Sequence, residues 1–358
     1  MNATDRAWAA TRKGLFELRC KDGRWKIERV SFLAEPVTML LPPDDQGRML
    51  AALNLGHFGV KLHASHDAGA TWKEVASPVY PEQPKDAAGP AWKLQLVWSL
   101  ESTGGTVWAG TLPGGLFRSA DFGLSWQLVG SLWNRPERLE WMGGGYDAPG
   151  IHSICPHPTA PRELLLGISC GGTWLTRDDG GSWQLSGAGM RADFMPPDQA
   201  GNQNIQDPHR IQRCRAVPEV LWCQHHCGIW RSEDNALSWQ EIKAPLSSFG
   251  FAVAAHPQDP LTAWFAPAVK DEQRVPVQAA LAVSRTRDGG QSFETLREGL
   301  PQTDCYDLVY RHGLAVAADG QSLLMGSTTG HLWGSGDGGD SWQAAALNLP
   351  PIHAVRFG

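Results

Sequence analysis

Short stretches of alternating apolar and polar residues run through this chain, and they come in pairs around a polar centre. Gly115-Leu-Phe-Arg-Ser119 and Gly228-Ile-Trp-Arg-Ser232 lead into such centres, and Trp183-Gln-Leu185 and Trp239-Gln-Glu-Ile242 leave them. A period of two predicts half-buried strands, and the centre between them, Asp-x-Gly, predicts the turn of a hairpin. Two further strands precede each hairpin. Phe251-Ala-Val-Ala-Ala followed by Leu261-Thr-Ala-Trp-Phe-Ala shows the pairing, as does Ile151-His-Ser-Ile-Cys followed by Glu163-Leu-Leu-Leu-Gly-Ile168. A proline-bearing spacer, His256-Pro257 or His157-Pro158, separates the members of each pair and reads as a turn. Each repeat is therefore expected to be a four-stranded antiparallel meander, A-B-C-D, with the polar centre at the C–D hairpin.

The centre is one motif in six copies, S/T-x-D-x-G-x-S/T-W. The copies are Ser65–Trp72, Ser119–Trp126, Thr176–Trp183, Ser232–Trp239, Thr286–Phe293 and Ser335–Trp342. They recur roughly every 50 residues, the period of a repeat architecture. Asp is expected to accept hydrogen bonds from turn amides, Gly to take a positive φ, Ser or Thr to tie the strand ends, and Trp to pack between neighbouring sheets. Ala236 replaces Gly in the fourth copy, where Asn235 is the expected left-handed residue, and Phe293 replaces Trp in the fifth. Ahead of the first motif, residues 7–11, 15–19 and 25–30 read as strands B, C and D of a blade without an A strand, with Asp22-Gly23 as a worn turn. Ile352–Phe357 is a lone strand after a complete repeat and supplies the missing one. The expectation is an all-β, seven-bladed β-propeller of four-stranded antiparallel blades. It forms a single domain over 1–358, closed by 352–358 joining the blade of residues 1–31.

Composition adds little to that picture and removes several alternatives. Basic and acidic residues number 31 and 37, with no clustered cationic run of the kind nucleic acid demands. No apolar run approaches the roughly 18 residues of a membrane span. The first ten residues lack the basic and apolar regions of a secretory signal, which leads us to expect a cytoplasmic setting. Seven cysteines, an odd number spread over the chain, fit reduced thiols. Cys223-x3-Cys227, with His225 and His226 between, has half of a metal knuckle. Without a second pair, its cysteines read as packed strand thiols, and no metal or cofactor is expected.

The motif resembles the Asp-box, or BNR, repeat over essentially the whole chain. Ala10-Thr-Arg-Lys-Gly-Leu-Phe16, Gly56-His-Phe-Gly59 and Met190-Arg-Ala-Asp-Phe194 are similar to the bacterial group labelled BNR-repeat glycosyl hydrolase or exo-sialidase-like protein. That resemblance implies carbohydrate hydrolysis. True sialidases have six blades, a Phe/Tyr-Arg-Ile-Pro motif, three arginines on the substrate carboxylate and a tyrosine nucleophile. The motif is absent here, and none of the four tyrosines has a nucleophile context, so the chain departs from sialidase chemistry.

Topology narrows the search for a site. In an A-B-C-D meander the A–B and C–D turns share one end, and the B–C turns and D-to-A links share the other. The motif aspartates are thus expected to be turn-formers. The long connections 79–91, 131–150, 187–209 and 266–281 fall at the opposite end, where ordered loops usually carry binding. Asp193, Asp207 and Asp307 are the candidate catalytic carboxylates, since glycoside hydrolysis needs two. Arg191 and Arg210 are candidates to hold an anionic group, and Trp133 and Trp141 to stack on a sugar. His57, His152, His209 and Tyr306 complete the candidate ligand-binding set. The expected ligand is a carbohydrate or another small polar or anionic molecule. The competing expectation is a non-catalytic scaffold that grips a protein or glycan with the same end.

Overall fold

A computed structural model describes residues 5–87 and 89–358. Residues 1–4 of the expected closing blade, and Ala88 in the 79–91 link, lie outside the described residues. The chain is a seven-bladed β-propeller of seven four-stranded antiparallel sheets. The first blade is Ile352–Phe357, Arg6–Thr11, Gly14–Lys21 and Arg24–Ser31 in strand order A to D. The second is Val37–Leu41, Met49–Asn54, Val60–Ser65 and Lys73–Val75, and the third is Leu96–Thr103, Thr106–Leu112, Leu116–Ser119 and Gln127–Leu128. The fourth is Ile151–Pro156, Leu164–Ile168, Gly172–Thr176 and Gln184–Leu185. The fifth is Pro208–Arg213, Leu221–His225, Gly228–Ser232 and Gln240–Ile242. The sixth is Gly250–Ala255, Ala263–Pro267, Val283–Thr286 and Glu294–Leu296, and the seventh is Leu314–Val316, Leu323–Gly326, Leu332–Ser335 and Gln343–Ala346.

The closing strand pairs as the sequence suggests. Phe357 faces Ala7, Val355 faces Ala9, and Ile352 faces Thr11, antiparallel. Trp25 and Phe357 meet edge to face at 5.9 Å across this blade. An A strand taken from the far end of the chain covers the edge that residues 6–11 would otherwise expose.

By internal contacts the chain divides into two compact units. One holds the first, fifth, sixth and seventh blades, and the other holds the second, third and fourth. The division falls inside one strand, between Pro208 and His209, and assigns 236–239 to the second unit. In the first unit, Trp264, Trp333, Trp342, Leu296 and Met325 form one apolar cluster, and Trp222, Val253 and Phe265 form another. In the second unit, Trp108, Trp174, Trp183, Val129 and Ile154 form the main cluster. Trp183 follows a C strand of the fourth blade yet packs with Trp108 and Val129 of the third, so the motif tryptophan does bind neighbouring sheets together. Its indole N–H also reaches back one repeat: Trp183 Nε1 donates to Ser131 Oγ at 3.1 Å, and Trp126 Nε1 donates to the Ala76 carbonyl at 2.9 Å.

The motif turns repeat one wiring. Asp178 accepts the Thr176 hydroxyl at 2.8 Å, the Ser182 amide at 2.8 Å and the Ser182 hydroxyl at 2.7 Å, while Thr176 Oγ1 accepts the Gly180 amide at 3.0 Å. Asp67, Asp121, Asp288 and Asp337 make the same bonds within their own copies. In the fourth copy the structure goes beyond the expectation. Asn235 is left-handed at φ 63°, and Ala236 is too, at φ 64°. The turn needs two successive left-handed residues, as in Asp179-Gly180, so alanine sits where only glycine is unstrained.

Candidate functional site

The entry of the fifth blade differs from that of the sixth. Its A strand, Pro208-His-Arg-Ile-Gln-Arg213, is largely polar, whereas the corresponding strand of the sixth blade is Gly250-Phe-Ala-Val-Ala-Ala255. Polarity here does not mean exposure. Asp207 and His209 are each 2% exposed and Arg210 is 4% exposed. Burying such groups is costly unless they are partnered, and partners are present.

His209 Nδ1 lies 2.7 Å from the Gly250 carbonyl, and an acceptor there assigns the Nδ1 proton. The ring stacks on Phe251 at 4.4 Å with 12° between planes. His226, in the turn after the B strand, meets the same ring edge-on at 5.4 Å and touches Phe249. Asp207 Oδ1 accepts the Cys170 amide at 3.1 Å, and the backbone of Gly144 closes over its carboxylate. Arg210 donates to Gln212 in that residue's favoured amide orientation.

A second polar centre lies at the seventh blade. Asp307 is buried and accepts from Ser327 Oγ at 2.6 Å, from Thr329 Oγ1, from Cys305 Sγ at 3.2 Å and from His331 Nδ1. Burial pushes its pKa up, but the hydroxyls of Ser327 and Thr329 outweigh that and hold the carboxyl below its ordinary value. Burial drives the neighbouring Cys305 thiol up to about 11. The carboxylate thus ties the link ahead of the seventh blade to the B–C turn, and the Thr328 amide bonds Leu308 O at 2.8 Å beside it.

The remaining candidates separate. Arg191 and Asp193 are exposed and pair with each other at 3.4 Å, a surface ion pair of small energetic weight. His57 is exposed beside Phe58, and Tyr306 is 60% exposed. His152 is fully buried, with Trp98 edge-on at 5.5 Å and Ser153 Oγ at 3.0 Å from Nδ1.

Two expectations need correction. Trp133 is buried against Tyr80, Trp92 and the Arg138 guanidinium, and Trp141 is buried against Trp174 with its N–H on Asn204 at 2.8 Å. Both rings anchor the 131–150 link from beneath, because an indole face buries more apolar area inside than on a loop surface. They offer no open face to a sugar. Asp307 lies in the link that leads into Leu314–Val316. That link, from residue 297 to 313, is a further long connection beyond the four expected.

His226 lies outside the candidate set, and its ring meets that of His209 edge-on at 5.4 Å. The Cys227 amide donates to His225 Nδ1 at 3.0 Å, closing the turn, and Cys223 is fully buried in its strand. The one available signal was the doubled histidine itself at a B–C turn. His157 and His256 read correctly as turn residues. Nδ1 of each accepts two following amides, at 3.1–3.3 Å from Thr159 and Ala160 and at 2.9–3.1 Å from Gln258 and Asp259.

No family model matches this chain, and no curated protein does either. Solved structures do share its fold. An ancestral GH74 enzyme is 15% identical with a TM-score of 0.60; the match covers 83% of this chain and 36% of that enzyme. The Niastella koreensis GH74 enzyme is 13% identical with a TM-score of 0.55, over 99% of this chain and 66% of that one. YCF48 bound to a D1 peptide is 14% identical with a TM-score of 0.53, over 94% of this chain and 88% of that one. The chain therefore spans only about a third of the first GH74 enzyme's length. At these identities the likeness is one of fold.

Proposed function

We propose that this propeller binds a carbohydrate or another small polar or anionic ligand, glycoside hydrolase-like in kind, at the B–C turn and D-to-A link ends of its blades. The observation that carries this reading is the buried polar run Asp207, His209 and Arg210, at a strand entry where the sixth blade has Gly250-Phe251-Ala252. A scaffold gains no stability from such a run that aliphatic side chains would not supply better, so its presence favours recognition of a polar ligand. The GH74 likeness supports the sugar class. Should hydrolysis occur, its acid and base would come from Asp193, Asp207 and Asp307, of which Asp307 has the low pKa of a base rather than an acid.

A second reading rests on different residues. Phe58, Val79, Leu139, Met142, Tyr146 and Phe194 are large apolar side chains left exposed in the B–C turn and links of the second, third and fourth blades. Such side chains suit a protein partner, and the YCF48 structure holds a peptide. The two readings divide on one experiment: a panel of poly- and oligosaccharides, uronates and sialosides, scored for product release and for ligand-induced melting shifts. The ligand reading expects at least one sugar to raise the melting temperature, and Asp207→Asn to abolish the rise. A silent panel would overturn it in favour of the scaffold.

A further inference from the structure

We propose that His331, oriented by Asp307, is a general base that activates water for the hydrolysis of carboxylic esters at the B–C turn of the seventh blade. The parts belong to one local piece of the fold. His331 lies in the turn between Leu323–Gly326 and Leu332–Ser335, and Asp307 lies in the link that leads into the same blade. The turn is tied to the link. The Thr328 amide donates to the Leu308 carbonyl at 2.8 Å, and Ser327 and Thr329 both give their hydroxyls to Asp307. Ser327 Oγ in turn accepts the His331 amide at 3.1 Å, which fixes the backbone on which the imidazole stands.

The ring is placed as the base of a hydrolytic pair needs. Nδ1 lies 3.0 Å from Oδ1 of Asp307 and 3.2 Å from Oδ2. Burial raises the Asp307 pKa, and the Ser327 and Thr329 hydroxyls more than offset it, so at neutral pH the carboxylate is ionised and can only accept. Nδ1 therefore carries the proton, and the lone pair stands on Nε2. Trp333 meets the imidazole edge-on at 5.5 Å and limits its rotation. Asp307 is 5% exposed, whereas the His331 side chain is 35% exposed, so water and substrate reach the histidine and not the carboxylate. Asp307 is thus a positioning residue in this reaction, as the third member of a triad orients its histidine.

The nucleophile follows from the neighbours. Burial drives the Cys305 thiol up to about 11, so it stays a neutral donor to Asp307 at 3.2 Å and is no acyl acceptor. The hydroxyls of Ser327 and Thr329 are committed to the carboxylate. Among the described residues, the imidazole bonds Asp307 through Nδ1 and no side chain bonds Nε2, which leaves water. In the step, Nε2 takes a proton from water as its oxygen bonds to the ester carbonyl carbon. The carbon–alkoxy bond then breaks, and the imidazolium returns the proton to the departing oxygen, so an ester and a water give an acid and an alcohol. A carbonyl carbon suits this base, whereas a glycosidic bond needs an acid on its leaving oxygen. The inference goes beyond the sugar-binding reading and does not rest on it, because a small ester probe needs no sugar contact.

The test uses the full chain and p-nitrophenyl acetate, with nitrophenolate release read against a blank without protein. The wild type is expected to turn over with saturation, without a burst, and more slowly in heavy water. His331→Gln, at the part-exposed position, is expected to lower kcat at least about tenfold with the melting temperature unchanged. Asp307→Asn is expected to lower kcat likewise while KM holds, because the ring loses its fixed tautomer. Should that variant unfold, nitrogen NMR of the wild type reads the tautomer directly, and a protonated Nδ1 with a bare Nε2 is expected. His66→Gln, which changes an exposed histidine of the first motif, is expected to react as wild type. A wild type no faster than the blank overturns the proposal, and so does turnover that His331→Gln or Asp307→Asn leaves intact. A burst of nitrophenolate equal to the chain concentration overturns water as the nucleophile, and a proton found on Nε2 overturns the orientation.

Discussion

Asp178 and Asp307 are both carboxylates held below their ordinary pKa by several hydrogen bonds, yet they are built in opposite ways. Asp178 is partly exposed, and its partners Thr176 and Ser182 lie within four residues. The Ser182 hydroxyl and amide, with Thr176, lower it to about 2. The same wiring recurs at Asp67, Asp121, Asp288 and Asp337. Asp307 is buried, occurs once, and draws Ser327 and Thr329 from across the chain. Asp207 is buried and singular in the same sense, and its amide partner is Cys170. Local, repeated bonds make a turn that any blade can use. Long-range, unrepeated ones hold a particular side chain in a particular place, and there chemistry becomes possible.

This contrast can be broken at several points, beginning with the largest effect. Trp183→Ala removes a ring from between two sheets and should cost about 3–5 kcal/mol in chemical denaturation, since the cavity cannot collapse against Trp108 and Val129. A loss under 1 kcal/mol would mean that the motif tryptophan is ornamental. Asp307→Ala leaves buried donors without their acceptor and should cost about 3 kcal/mol. If instead the protein became more stable, Asp307 would be a strained site held for function alone. Ala236→Gly should stabilise by about 1 kcal/mol, because it relieves a left-handed alanine in a turn whose other copies use glycine at that place. A destabilising result would show that the Ala236 methyl packs better than its backbone suffers.

Smallest for any one residue is the response to acid. Asp121, Asp178 and Asp288 have folded pKa values of about 2 against an ordinary 3.8, set chiefly by the serine hydroxyl four residues on. A depressed carboxyl contributes stability that is present above the unfolded value and lost as pH falls through the folded one. Stability should therefore decline from about pH 4 to about pH 2, and Asp178→Asn should flatten the slope. Denaturant midpoints measured across that range would show it, and an unchanged slope in the variant would contradict the wiring.

The blades were legible because two periods coincide in the sequence: alternation every second residue and a motif every 50 or so. The closing strand was legible because 352–357 alternates and follows a complete repeat. Less could be read where the repeat lapses. The 297–313 link hides its length because no apolar alternation marks where Leu314–Val316 begins. Asparagine's preference announced the left-handed backbone at Asn235, but that at Ala236 follows from the turn alone, since no preference of alanine announces it. Trp133 and Trp141 carry the same residue type whether they face a ligand or the core, and only packing decides.

The central claim is that the repeated aspartates are architecture and the buried, unrepeated ones are function. The most direct measurement compares Asp178→Asn with Asp207→Asn in one assay pair: melting temperature without ligand, and the melting shift produced by the best ligand of the sugar panel. The account predicts that Asp178→Asn lowers the melting temperature and keeps the full shift, while Asp207→Asn holds the melting temperature closer to wild type and loses the shift. A shift lost in Asp178→Asn and retained in Asp207→Asn would contradict it.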